Sequence, residues 1–165
     1  MEKLSEKNAR ILAREIFLNS EDLENQFHYI HTKNVVNIIG FISKKFKLNI
    51  DKMQAIAWVH DIGYSLNNEL DHCENSLKIL KDKDIFLDKI EEDCIKNHSS
   101  SKKPMTLEAK LFKIADKLSV FDSDFIEILL KQDNITLEDI KDLELMSTKG
   151  IDQIKELKQL LETLN

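Results

Sequence analysis

Trp58-Val59-His60-Asp61-Ile62-Gly63-Tyr64 places an imidazole and a carboxylate side by side at the end of an apolar run. The run from Met53 to Val59 reads as a buried helix, with Ala55, Ile56 and Val59 at helical spacing. Gly63 is expected to supply the left-handed residue that ends it. His60 and Asp61 then fall in the last turn, where side chains can project into a cavity. Burying an ionised Asp beside a His is costly unless something compensates, and a metal ion is the usual compensator. For the dipeptide alone, the alternative is a His that caps its own helix and an Asp that opens the next turn. The rest of the chain decides between them.

At 165 residues the sequence reads as one domain, 1–165, long enough to bury a sizeable core. Only three Gly and one Pro interrupt it, which leaves little punctuation for hairpins and argues for helices. The net charge of -6 disfavours general nucleic-acid binding, because phosphate backbones need a basic surface. It does not exclude a small anion, since a bound metal inverts the local field. Cys73 and Cys94 are too few for a disulfide framework. The charged N-terminus lacks the apolar stretch of a signal peptide, and the most apolar run, Val35 to Ile42, is broken by Asn37 and Gly40. The expectation is a cytoplasmic protein with no membrane span.

Along the chain, Leu4 to Leu18 reads as an amphipathic helix with Ile11, Leu12, Ile16 and Phe17 inward. Ser20 is an N-cap candidate, with Glu21 and Asp22 in the first turn of a long helix that reaches Phe46. Its inward stripe holds Phe27, Ile30, His31, Val35, Ile38, Ile42 and Phe46, with His28 one turn before His31. After the polar loop Ser65 to Leu70, a helix from about Asp71 to Leu80 begins with His72. Another from about Ile85 to Asn97 ends at His98. If those two helices lie antiparallel across the short turn near Asp82 to Asp84, His72 and His98 meet beside Gly63. Ser99 to Pro104 makes a loop, and Thr106 caps a helix carrying Asp116 among Leu111, Ile114, Ala115 and Leu118. Further helices are expected over Phe125 to Leu130, after a cap at Thr136, and over Ile151 to Leu164. The stripe Ile151, Ile154, Leu157, Leu161 and Leu164 would pack on the core or, making a homodimer, on a second copy; internal packing is the expectation.

These positions resemble the HD superfamily of metal-dependent phosphohydrolases, whose signature is a His, then a His-Asp pair, then a distant Asp. Here those are His31, His60-Asp61 and Asp116, over roughly Phe27 to Phe125. With His72 and His98 in between, the order is similar to the dinuclear branch. The resemblance implies an all-α HD-type bundle of about seven or eight helices. It also implies that His31, His60, Asp61 and Asp116 hold one divalent ion and that His72 and His98 complete a second. Asp61 then touches the whole metal centre and is the residue catalysis depends on. Iron, manganese, zinc, nickel and magnesium all remain open. The family pattern favours His31 over His28 as ligand, because His31 stands four residues before Val35; His28 is expected to be partly exposed or to support the ligands. Asn34 stands where many relatives carry Arg.

A rival zinc site from His72, Cys73, Cys94 and His98 does not follow common zinc spacings. Charge favours two ions over one for phosphate chemistry: one divalent ion with Asp61 and Asp116 nets to zero, whereas two leave about +2. Lys102, Lys103 and Lys117 are available for outer phosphate contacts, though solubilising surface lysines are the expectation. The function implied is hydrolysis of a small phosphorylated compound, a nucleotide by preference, by metal-activated water. Two alternatives remain: a dinuclear-iron oxygenase of the same ligand order, and a nucleotide-binding regulatory module without turnover.

Overall fold

A computed structural model describes residues 2–19, 23–66, 71–122 and 137–163. Seven α-helices are present among them: α1 (Glu6–Leu18), α2 (Leu23–Phe46), α3 (Ile50–Val59), α4 (His72–Asp82), α5 (Lys89–Asn97), α6 (Leu107–Leu118) and α7 (Leu137–Glu162). Short 3-10 turns follow α3 at Ile62–Ser65 and α6 at Ser119–Phe121. Two-residue strands β1 (Glu2–Lys3) and β2 (Ile85–Phe86) pair in parallel, Glu2 against Ile85. The fold is all-α, as expected. The proposed caps at Ser20 and Thr136, the helix over Phe125 to Leu130, and Leu164 lie outside the described residues.

The core is built on α3, whose Met53, Ala55, Ile56, Ala57, Trp58 and Val59 are all buried. A helix apolar on every side must be enclosed, and α1 and α2 pack against it. The Trp58 indole N–H donates to Glu6 at 3.1 Å, fastening α1 to α3. The buried ridge of α2 runs through His31, Val35, Ile39, Ile42 and Phe46, while Ile38 is only half-buried. Polar caps start α3, α4 and α6. Asn49 accepts from the Lys52 amide at 3.1 Å and Asp71 from the Glu74 amide at 3.0 Å. Thr106 accepts from the Ala109 amide at 3.2 Å. Asp93 on α5 also accepts from the Thr106 amide and hydroxyl, at 2.7 and 2.8 Å, so the loop into α6 is tied to α5.

Several expectations are corrected. Helix α1 starts at Glu6 behind the cap Ser5, not at Leu4, and Ile11 is 44% exposed while Ala9 and Ala13 take the inward positions. Helix α5 starts at Lys89, not Ile85. Asp88 and Glu91 form a capping box there, and Ile85–Phe86 pairs with the N-terminal strand instead. No glycine adopts positive φ among the described residues; Lys47 and Asp84 do, just past the ends of α2 and α4. Gly63 therefore does not end α3 as a left-handed cap. It is buried in the 3-10 turn, where a Cβ would stand 1.9 Å from the His72 carbonyl oxygen. Its lack of a side chain lets the start of α4 close on the end of α3. At the C-terminus one helix, α7, runs through Gly150 where separate helices were expected. Leu157 and Leu161 of the anticipated stripe pack on the core, whereas Ile151 and Ile154 are about half exposed.

Candidate metal centre

Three helix ends and two helix interiors deliver the six residues. His60 is the C-cap of α3, and Asp61 follows it directly. His72 opens α4, and His98 is the C-cap of α5. His31 projects from the middle of α2 and Asp116 from the last turns of α6. Hydroxyl bonds fix the crossing of α3 and α4: the Gly63 amide donates to Ser76 Oγ at 2.9 Å, and that hydroxyl donates to the His60 carbonyl at 2.7 Å.

Asp61 stands between two sets of imidazoles. Its Oδ2 lies 3.3 Å from His31 Nε2 and 3.2 Å from His60 Nε2. Its Oδ1 lies 3.1 Å from His98 Nε2 and 3.6 Å from His72 Nε2. Asp116 Oδ1 is 3.0 Å from His31 Nε2 and 3.7 Å from His60 Nε2. The two outer histidines meet at 3.1 Å, Nε2 to Nε2. His31, His60, Asp61 and Asp116 are all buried, with donor atoms within 4.8 Å of one another.

The rings are held from behind. His60 Nδ1 is 2.8 Å from the Ala57 carbonyl, and His98 Nδ1 is 2.8 Å from the Ile95 carbonyl. A carbonyl only accepts, so both Nδ1 atoms carry the proton. His31 Nδ1 is 2.8 Å from Ser119 Oγ, whose own proton goes to the Asp116 carbonyl at 2.6 Å; this Nδ1 is a donor too. In the neutral rings, three Nε2 lone pairs therefore face carboxylate oxygens. That arrangement repels itself without a cation or protons between the atoms, and Nδ1 anchoring of this kind is how ligand histidines are oriented. The donor set fits a divalent metal.

The titration tendencies say the same. Burial disfavours the charged form of His60, but Asp61 and a bond to Asp116 outweigh it and raise its pKa to about 10. His31 moves upward for the same reasons, burial again being overcome by the two carboxylates. Burial pushes Asp61 up, yet His60 and the bonds from His31 and His98 bring it well below the usual carboxylate range. Asp116 is lowered likewise, chiefly by Lys117 against its own burial. The site seeks positive charge.

His98 is 2% exposed, and His72 is only partly exposed. His28 lines the cavity, stacked on Tyr64 at 4.3 Å with Phe17 on its other side at 5.9 Å. Lys117 is not a solubilising lysine, because its ammonium is ion-paired with Asp116 and lines the cavity. Cys73 lies 3.4 Å from His72 Nε2, while Cys94 belongs to the apolar core, so the four-residue zinc alternative does not assemble. Asn34 is buried away from the cavity lining. Tyr64, Ser76, Ser119, Met146 and Lys149 were not singled out by the sequence. Ser119 alone left a trace, three residues after Asp116. A cavity of about 270 Å³ opens over Asp61.

An all-α bundle that gathers histidines and aspartates from separate helices beneath one cavity defines a class of helical proteins built to hold divalent ions. The HD domain family model matches residues 28–120, and the chain belongs to that family. It is also similar to a deoxyguanosinetriphosphate triphosphohydrolase-like protein of Caldanaerobacter subterraneus subsp. tengcongensis, 28% identical over 128 residues. That match covers 67% of this chain but 38% of the relative, so the chain spans well under half of the relative's length. No solved structure matches.

Proposed function

We propose that the chain is a metal-dependent phosphohydrolase acting on a small phosphorylated compound, with a nucleotide as the substrate class. The observation that carries this is the division of Asp61. One oxygen faces His31 and His60, and the other faces His72 and His98. A carboxylate shared in this way would help to hold two ions, the first with Asp116 as a further ligand. The nucleotide class is supported by the similarity to the triphosphohydrolase-like relative.

The residues divide the work. His31, His60, Asp61 and Asp116 would hold one divalent ion, with Asp61, His72 and His98 holding the second; mixed nitrogen and oxygen donors suit iron, manganese, zinc or nickel. When bound, such ions supply Lewis acidity toward phosphoryl oxygens and an acidified water. Ala57, Ile95 and Ser119 keep the rings in the tautomer that presents Nε2. Lys117 neutralises the second oxygen of Asp116 and adds positive charge to the cavity wall.

The test is elemental analysis of protein prepared without chelator, followed by a phosphate-release screen over nucleotides. About two ions per chain and phosphate release are expected, and His72→Ala or His98→Ala should lower the content toward about one ion. Oxygen uptake without phosphate release would indicate an oxygenase, and tight nucleotide binding without turnover a regulatory module; either sinks the hydrolase reading. Wild-type metal content in Asp61→Ala would sink the metal centre itself.

A further inference from the structure

The cavity over Asp61 has a wall that lies outside the family match. Met146 and Lys149, both on α7, line it together with His28 and Tyr64. Helix α7 reaches this position because of Gly150. A Cβ there would stand 2.6 Å from the Phe121 ring and 3.0 Å from the Lys117 carbonyl oxygen. The missing side chain lets α7 cross directly on the end of α6, and Leu157, Leu160 and Leu161 hold it to the core. Lys149 is adjacent to that crossing, so its placement at the cavity is set by packing rather than by chance exposure.

Besides the candidate metal ligands, the cavity lining offers aromatic rings and two lysines, Lys117 and Lys149. Tyr64 has both ring faces covered, by His28 and by His72, each at 4.3 Å. It leaves no face for a nucleobase to stack on. The Lys117 ammonium is committed to Asp116. Lys149 lines the same cavity and has no carboxylate partner among the described residues.

Charge then discriminates between substrates. With two divalent ions in place, Asp61, Asp116 and Lys117 bring the net to about +3, and Lys149 raises it to about +4. A single phosphate ester carries at most about -2. A second linked phosphate is the group that would answer the additional cation.

We propose that Lys149 binds a second phosphate of the substrate, so that the site takes compounds with two or more linked phosphates in preference to monophosphate esters. The proposal rests on the metal-centre reading above and deepens it. Lys149 acts here as a specificity residue and takes no part in the bond cleavage.

The experiment uses the full chain reconstituted with metal, with ion content measured before and after each titration. Calorimetry compares two probes, inorganic orthophosphate and the hydrolysis-resistant methylenediphosphonate. Lys149→Met should weaken methylenediphosphonate roughly tenfold, the loss of one charge-assisted contact, and change orthophosphate by less than about twofold. Lys149→Arg should retain most of the diphosphonate affinity. Equal weakening of both probes, or undiminished diphosphonate binding in Lys149→Met, overturns the proposal. A wild-type chain that takes up no metal overturns the metal-centre reading and this inference together. A chain with full metal content and an indifferent Lys149→Met overturns the inference alone.

Discussion

Gly63→Ala tests the packing that brings His72 on α4 up to the His60-Asp61 end of α3. The added Cβ would lie 1.9 Å from the His72 carbonyl oxygen, 2.6 Å from the Ser76 amide nitrogen and 2.8 Å from Asn75 Cβ. An ordinary carbon–oxygen approach is about 3.3 Å, so the first turn of α4 must retreat by about 1.4 Å. The nearest obstacles are backbone, which no rotamer change relieves. Overpacking alone costs about 1–3 kcal/mol. The retreat also strains the two hydrogen bonds through Ser76, each contributing about 1 kcal/mol. The expected destabilisation is about 3–5 kcal/mol, read from urea unfolding of the metal-free protein. His72 moves with α4, whereas His31, His60 and Asp116 do not sit on it. Elemental analysis should therefore show one ion lost and one kept. Ser76→Ala removes the hydroxyl without the clash and should cost only about 1–2 kcal/mol, which separates the two effects. A Gly63→Ala protein within about 1 kcal/mol of wild type would refute the close-approach account.

Three further outcomes follow from the same geometry. His31→Ala should lose an ion, whereas His28→Ala should keep the full metal content and lose about 1–2 kcal/mol of stability, because His28 packs between Phe17 and Tyr64; equal metal loss in both would mean that the ligand histidine has been misassigned. The metal-free protein should lose stability between about pH 6.5 and pH 10, because the His60 pKa is raised on folding to about 10 and the proton it holds is released across that window. Metal affinity should rise over the same range as ions replace protons, so thermal unfolding curves with and without chelator should have opposite pH slopes; parallel slopes would contradict the lone-pair argument. Below about pH 4 both forms should weaken, because Asp61 and Asp116 have lowered values and their contribution is lost as they protonate.

What the sequence made legible was local. The apolar run ending at His60-Asp61 forms a buried helix, and Asp71 and Thr106 cap the helices they precede. The chain order of the histidines follows from helix ends: an antiparallel α4–α5 pair must bring a first residue beside a last one, as the 3.1 Å contact of His72 and His98 shows. What stayed illegible depends on crossings between distant helices. Gly63 looked like a terminator because glycine usually relieves a left-handed strain, yet here it relieves a contact with α4. The Asp88–Glu91 capping box was present in the sequence, but the apolar Ile85 and Phe86 before it read as helix until β1 was available to pair with them. Lys149 carries no local sign of its position, because nothing in α7 alone indicates that it crosses α6 at Gly150.

The placement of Asp61 just past a helix end has an energetic reason. A carboxylate as deeply buried as Asp61, 5% exposed, would be costly inside a regular helix, where backbone groups are already paired and cannot answer it. Directly after α3 the chain turns, and both Asp61 oxygens are free to face imidazoles from α2, α3, α4 and α5. Asp116 lies inside α6 and lacks that freedom. Its compensation comes from Lys117 on one oxygen and His31 on the other. The two aspartates are therefore unequal in kind. Asp61 depends on the cations it gathers, whereas Asp116 keeps a permanent partner within the chain. Removing the metal should disturb the surroundings of Asp61 first, and amide exchange at the start of α4 should rise on chelation while the middle of α6 stays protected. Uniform exchange across both helices on chelation would show that the two carboxylates share one fate.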